Sequence, residues 1–209
     1  MTLIQATADG DTRVRRSGAV LRAVVVNGSP SRRSKTVGLA GVALETLHAM
    51  LPVASSQIDV YRLGPGFTGA LEREDVTPEV EATLRLAEDA DLLVAAVPVF
   101  RGSYPGMFKH FFDLVDQYAL ANKPVLLVAT GGGDHHALVL DHELRPLFAF
   151  FQAATLPVAI FANAGDFDGV TLLNPRVYGR IETGLTDVAD LLAARATGVP
   201  THPSGGSDR

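Results

Sequence analysis

The stretch "VVVNGSPSRRSKTVGLA", Val24 to Ala40, decides the fold. Its first residues are β-branched and unbroken, as in a strand buried on both faces. A tight turn at Gly28 follows, then a polar loop, then a helix that opens near Ser34. Strand, loop and helix in that order make the first unit of a parallel α/β sheet. The loop carries hydroxyls at Ser29, Ser31, Ser34 and Thr36 and cations at Arg32, Arg33 and Lys35. Donors gathered at a helix N-terminus make an anion site. The same residues also read as a capped helix start behind a solvated basic loop. The phosphate loop of ATPases and GTPases is excluded, because it needs Gly, four residues, then Gly-Lys-Ser/Thr. Here Gly28 and Lys35 stand one residue too far apart, and Ser34 occupies the place of the second Gly.

Working outward, four more apolar runs follow: "IDVYRL" (58–63), "DLLVAAVP" (91–98), "KPVLLVAT" (123–130) and "LPVAIFA" (156–162). Helix-period segments lie between and after them, at roughly 35–51, 78–89, 105–119, 136–153 and 178–196. Thr77 and Pro78 suit the N-cap and first position of the second of these, and Glu81 suits its N-terminal turn. Five strands alternating with five helices predict a flavodoxin-like, doubly wound α/β fold. Its five-stranded parallel sheet carries helices on both faces. We place this domain at 21–197. Residues 1–20 are polar and charge-mixed, and residues 198–209 are rich in Gly, Pro and Ser, so both ends read as disordered tails.

The bulk composition narrows the function. The 209 residues are 47% apolar and 20% charged, enough for one core. A net charge of −5 argues against a nucleic-acid surface or a polybasic membrane anchor. No apolar run is long enough to span a bilayer, and the N-terminal residues lack a signal-peptide core, so a cytoplasmic location is expected. The absence of cysteine removes thiolate metal sites and thiol chemistry.

In open parallel sheets, ligands sit beyond the C-terminal ends of the strands. Besides the first loop, two others reach that edge. One is "PVFRGSYPG", with Pro98, Phe100, Gly102 and Tyr104 suited to a flat apolar ring, or to an ordinary strand–helix corner. The other begins at Gly131-Gly132-Gly133, where bare backbone approaches a ligand. A phosphate site, an aromatic wall and backbone donors together suit a phosphorylated flat heterocycle, and FMN is the obvious candidate.

At these residues the sequence resembles the NADPH-dependent FMN reductases of the flavodoxin-like superfamily. The resemblance runs from about Leu21 to about Gly169. It rests on "NGSPSRRSKT", "PVFRGSYPGMFKHFFDLVDQYAL" and "ATGGGDHHALVLDHELRPLFAFFQAATLPVAIFA". Within that family it is most similar to reductases that feed reduced FMN to alkanesulfonate and methanesulfonate monooxygenases. The resemblance implies that Ser29, Ser34, Lys35 and Thr36 hold the FMN phosphate. Pro98, Val99, Phe100, Arg101, Gly102 and Ser103 line the ring and ribityl chain. Thr130, Gly131, Gly132 and Gly133 face the pyrimidine edge, with His136 nearby. Many relatives carry Tyr where this chain has Phe100, so a hydroxyl donor is missing here. Two-component relatives also carry an inserted Tyr or His that makes a π-bulge in the helix after the glycine loop. His142 in "LDHELRP" matches it, and is expected at a subunit interface near the flavin.

The resemblance further implies hydride transfer from NADPH, or from NADH, to FMN with no side-chain acid or base. Arg32, Arg33 and Arg101 each suit a 2′-phosphate, so the preferred nicotinamide stays open. A homotetramer is expected, with a dimer second, plus transient contact with a flavin-dependent monooxygenase. The apolar "LRPLFAFFQAATLP" reads either as core or as that subunit interface. Rival readings are a quinone, azo or chromate reductase that retains FMN, and a non-catalytic electron carrier. No metal is expected, since His135, His136, Asp141 and His142 match no established ligand spacing. "GSPS" and "GSYPG" are not hydrolase nucleophile elbows.

Overall fold

Along β1 (Leu21–Asn27) successive side chains enter opposite cores: Val24 and Val26 join one, Ala23 and Val25 the other. The same alternation divides Leu93, Ala95 and Val97 of β3 (Leu92–Pro98) from Leu92, Val94 and Ala96. It also divides Val125, Leu127 and Ala129 of β4 (Pro124–Gly131) from Leu126 and Val128. A strand's side chains alternate faces, so a strand apolar at every position needs cover on both. One face is covered by α3 (Pro78–Glu88), α4 (Gly106–Leu114) and α5 (Arg145–Phe150). The other is covered by α1 (Lys35–Met50), α6 (Pro175–Thr186) and α7 (Ala189–Ala196).

This computed structural model describes residues 19–197. Apart from Ala19 and Val20, the tails expected at 1–20 and 198–209 lie outside the described residues. The remaining elements are β2 (Val53–Asp59), the single turn α2 (Pro65–Thr68), β5 (Ala154–Thr155), β6 (Ile160–Asn163) and a small hairpin of β7 (Phe167–Asp168) and β8 (Thr171–Leu172). The main sheet runs β2-β1-β3-β4, with β5 and β6 both pairing with β4. Every pairing in it is parallel, and the order is flavodoxin-like.

Several boundaries differ from the sequence reading. The second strand is Val53–Asp59 rather than 58–63. It is a sheet edge with Ser55, Ser56 and Gln57 exposed, so apolar content did not mark it. The residues Val60–Arg62 form a 3-10 turn that buries Val60. The fifth strand is in two pieces, separated by a stretch containing Pro157, which has no N–H for the ladder. Helix α4 ends at Leu114, and the N–H of Asp116 donates to Glu88 Oε1 at 3.0 Å. Thr77 stands at the N-cap of α3, but its hydroxyl makes no capping bond.

The helix expected over 136–153 is composite. A 3-10 run (Asp134–Leu138) leads into a π-helical turn (Leu140–Leu144) and then into α5. The N–H of Arg145 reaches back to the carbonyl of Leu140, five residues earlier. His142 is therefore central in a π-turn, and it is exposed. The helix expected over 178–196 is also two. Asn174 caps α6 by accepting the Arg176 N–H at 2.9 Å, and the chain breaks at Asp187–Val188 before α7.

The end of the sheet away from the loops holds a charge cluster. Asp91 accepts the Arg22 backbone N–H, Nε and Nη2 at 2.9, 3.1 and 2.9 Å. Burial pushes the Asp91 carboxyl up, but the bonds and charge of Arg22 outweigh this and hold it below its ordinary value. Lys123, just before β4, is 9% exposed and donates from Nζ to the Ala90 carbonyl. Burial lowers its pKa from 10.5 to about 8, against the opposing pull of Asp91. Between those two values the folded chain holds fewer protons than the unfolded chain. The lowered pKa should therefore add stability as pH rises from about 8 to about 10.5. Urea unfolding of wild type and Lys123→Met at two pH values spanning that window checks this. The difference should move in favour of wild type at the higher pH; a constant difference contradicts it.

Candidate active site

The loops after β1, β3 and β4 emerge side by side, because these three strands are neighbours in the sheet. The first loop starts from Asn27, which is buried at the end of β1. Its Oδ1 accepts the Ser29 N–H at 2.9 Å, and its Nδ2 donates to Asp59 Oδ1 at 2.8 Å. Gly28 lies so close to Phe108 and Val97 that a Cβ would meet them at 3.0 and 3.2 Å. Glycine therefore lets the chain turn against the α4 core.

Ser34 caps α1, its Oγ accepting the Val37 N–H at 3.2 Å. The N–H groups of Lys35 and Thr36 have no intrahelical acceptor at the start of a helix. No acidic residue sits in this first turn, while Arg32, Arg33 and Lys35 surround it. A helix of 16 residues with a bare, basic N-terminus is electrostatically suited to a phosphate. Lys35 Nζ lies 5.9 Å from the centroid of the Phe167 ring, a cation–π contact with the β7–β8 hairpin. That hairpin closes on α1 so tightly that a Cβ on Gly38 would meet the Val170 carbonyl oxygen at 2.3 Å.

Two of the proposed phosphate hydroxyls point elsewhere. Thr36 is buried, and its Oγ1 pairs with Thr130 Oγ1 at 2.6 Å. What Thr36 offers an anion is its backbone N–H. Ser29 is also buried, and its Oγ faces the backbone of Ser31. Both residues shape the loop from within.

The second loop is a closed turn. The Phe100 N–H donates to the Ser103 carbonyl at 2.8 Å, and the Ser103 N–H donates back at 3.1 Å. Between them Arg101 and Gly102 adopt φ of 52° and 89°. Arg101 is thus a non-glycine residue in the left-handed region. Phe100 is 45% exposed, leaving its ring available to a ligand. Pro98 and Val99 are half-buried beneath it, and the Val99 N–H donates to the Thr130 carbonyl at 2.8 Å.

In the third loop, His136 folds under the glycines. Its Nδ1 accepts the Gly132 N–H at 3.0 Å. A Cβ on Gly131 would meet the His136 Cβ at 2.6 Å, so only glycine fits. His136 thus shapes the loop, and its bond occupies one backbone donor expected to face the ligand. Beside it, Asn163 Nδ2 donates to Asp134 Oδ1 and Asp166 Oδ2 accepts the Asn163 N–H at 2.7 Å. These bonds tie the glycine loop to the segment that carries Phe167.

Asn27, Phe167 and Glu143, which accepts from Ser103, were not singled out by sequence reasoning. Asn27 could have been, as a polar residue closing an apolar strand just before glycine. Nothing local marks the other two. Among the described residues, no group of three or more His, Asp or Glu side chains could hold a metal ion. A groove of about 690 Å³ lies away from the first loop. It runs between α4 and the π-turn, over Phe112, His142, Leu147 and Phe150.

A bare, basic helix end, an exposed aromatic turn and a glycine-lined strand end on a flavodoxin-like sheet are the features of an α/β protein suited to a mononucleotide. The chain belongs to the NADPH-dependent FMN reductase family, whose sequence pattern matches residues 21–168. An NADH-dependent FMN reductase of Pseudomonas fluorescens is 44% identical over 171 residues, 82% of this chain and 91% of that protein. An NADPH-type FMN reductase of Pseudomonas aeruginosa is 43% identical over 175 residues, 84% of this chain and 94% of that one. Among solved structures, an oxidoreductase from Corynebacterium diphtheriae aligns with a TM-score of 0.74 at 30% identity, covering 86% of this chain and 98% of that one. The apo form of an NADH:FMN oxidoreductase aligns at 0.71 and 28% identity, covering 88% and 93%.

The site residues fit FMN: a basic helix end without carboxylates for its phosphate, and the exposed Phe100 ring for its flat heterocycle. Ser34→Ala should weaken FMN binding by roughly tenfold, through loss of a hydroxyl at a charged group. Thr36→Val should instead lower stability by about 1–3 kcal/mol, because it leaves the buried Thr130 hydroxyl without its partner. Flavin titration and urea unfolding of both variants separate these effects. Wild-type FMN affinity in Ser34→Ala, or unchanged stability in Thr36→Val, contradicts the assignment.

Proposed function

We propose that this chain reduces FMN with NADPH or NADH and releases the product to a two-component flavin-dependent monooxygenase of the sulfonate type. The observation that carries this reading is the basic, carboxylate-free N-terminus of α1, beside the exposed Phe100 turn and the glycine loop. The N–H groups of Lys35 and Thr36, with the Ser34 hydroxyl and the Lys35 charge, hold the phosphate. Pro98, Val99 and Phe100 form a wall along the ring, and Arg101, Gly102 and Ser103 close the turn beside the ribityl chain. Thr130, Gly131, Gly132 and Gly133 lie along the pyrimidine edge, and Ser29 and His136 set the backbone of the first and third loops. Bound FMN supplies a ring that takes a hydride from the reduced nicotinamide, so no side-chain acid or base is assigned. Exposed Arg32, Arg33 and Arg101 leave room for either nicotinamide.

Release follows from a site made mostly of loop backbone and exposed cations, which holds FMN as a substrate. The groove beside α4 gives the self-association surface. Phe150 is 67% exposed there, next to Leu147 and the π-turn. Exposed aromatics of this kind suit a subunit interface. A second copy covering it builds a dimer, and pairing of dimers a tetramer, with His142 at the contact near the flavin. No described helix is long and apolar enough to cross a membrane. We place the enzyme in the cytoplasm.

The test follows the nicotinamide absorbance with catalytic protein and varied free FMN, using NADPH and NADH in parallel. Oxidation should require added FMN and saturate with it, and the protein should purify with little flavin. Tightly retained FMN with ping-pong turnover of a quinone or azo acceptor contradicts release. No nicotinamide oxidation contradicts the whole reading.

A further inference from the structure

We propose that Glu143 is a positioning residue, which the π-turn holds against Ser103 so that the Phe100–Ser103 turn stays closed beside the flavin. This rests on the FMN-site reading above. Ser103 Oγ donates to Glu143 Oε2 at 3.1 Å, across forty residues of chain. It is the one side-chain bond, among the described residues, that ties the tip of the second loop to another element. The base of the loop is fixed separately, by the Val99 N–H on the Thr130 carbonyl. The tip needs fixing because Arg101 sits at φ 52°, a conformation that side-chain-bearing residues leave readily. Gly102 at φ 89° has open space around it, so packing does not hold the tip either.

The π-turn accounts for the reach of Glu143. The residue lies in the widened turn Leu140–Leu144, between the buried Leu140 and Leu144. In a regular helix each residue turns the next by about 100°. Removing one residue from the turn, with the core anchors kept in place, would swing the carboxylate away from Ser103. The helical irregularity and the closed turn are thus one device: the widened turn sets the loop through Glu143.

The first test needs no flavin. Arg101–Gly102 is an exposed tryptic site at the tip of the turn. In the apo protein, cleavage after Arg101 should accelerate about tenfold in Ser103→Ala and in Glu143→Ala. Glu143→Gln keeps an acceptor oxygen and should stay near wild type. The double variant should be no faster than either single one, since both remove the same bond. Deleting His142 should match Glu143→Ala. Unchanged cleavage in the two alanine variants, with circular dichroism showing native fold, overturns the clamp, as do strictly additive effects. The second test is FMN titration. The alanine variants should bind FMN several-fold more weakly and raise the KM for FMN while leaving the KM for nicotinamide in place, with Glu143→Gln again restoring. Faster cleavage with unaltered FMN affinity in these variants overturns the link to the flavin, whereas unaltered affinity in Ser34→Ala as well overturns the FMN site itself.

Discussion

Burial of β1, β3 and β4 on both faces is the constraint from which the rest follows. A strand packed above and below has no exposed side on which to carry chemistry. Polar function is therefore displaced to the strand ends, where the chain must turn. Parallel pairing puts three such ends at one edge, in the order β1, β3, β4. The helices that complete the burial begin there as well, and α1 brings its N-terminal N–H groups to the same edge. One packing requirement thus produces both the core and a helix N-terminus suited to an anion.

Neighbouring loops still need to be held to one another, and Thr130 does this. Its hydroxyl meets Thr36 at 2.6 Å and its carbonyl accepts the Val99 N–H at 2.8 Å. A single residue at the end of β4 therefore fixes the first loop and the aromatic turn together. Because the hydroxyl pair is buried, a missing partner carries the full desolvation cost of the other. Asn27 does similar work at the start of the first loop, and His136 under the glycines. The exposed cations need no such support, since a charge acts across some distance and through solvent.

The strands were legible wherever burial was two-sided, as in "VVVN" and "DLLVAAVP". β2 was not, because an edge strand shows solvent its Ser and Gln, and the apolar residues just beyond it form a turn instead. Helix starts were legible through Ser34 and the proline after Thr77. Ends were not, since α4 stops where Glu88, distant in sequence, captures the Asp116 N–H. The three loops could be located by order alone. The direction of each side chain could not: whether Thr36 faces a ligand or Thr130, or His136 a ligand or Gly132, depends on a partner about a hundred or only four residues away. The π-turn was read from resemblance, and its link to Ser103 is visible only once the fold brings the two together.

The central claim is that FMN binds across the three loops, with its phosphate on the N-terminus of α1. Amide chemical-shift mapping by NMR during an FMN titration tests it most directly. The account predicts the largest changes at Ser34 to Val37, with further changes at Phe100 to Ser103 and Gly131 to Gly133. Adding inorganic phosphate alone should reproduce the first set and spare the others. Changes centred instead on Leu147 and Phe150, with the amides of Lys35 and Thr36 unmoved, would contradict it.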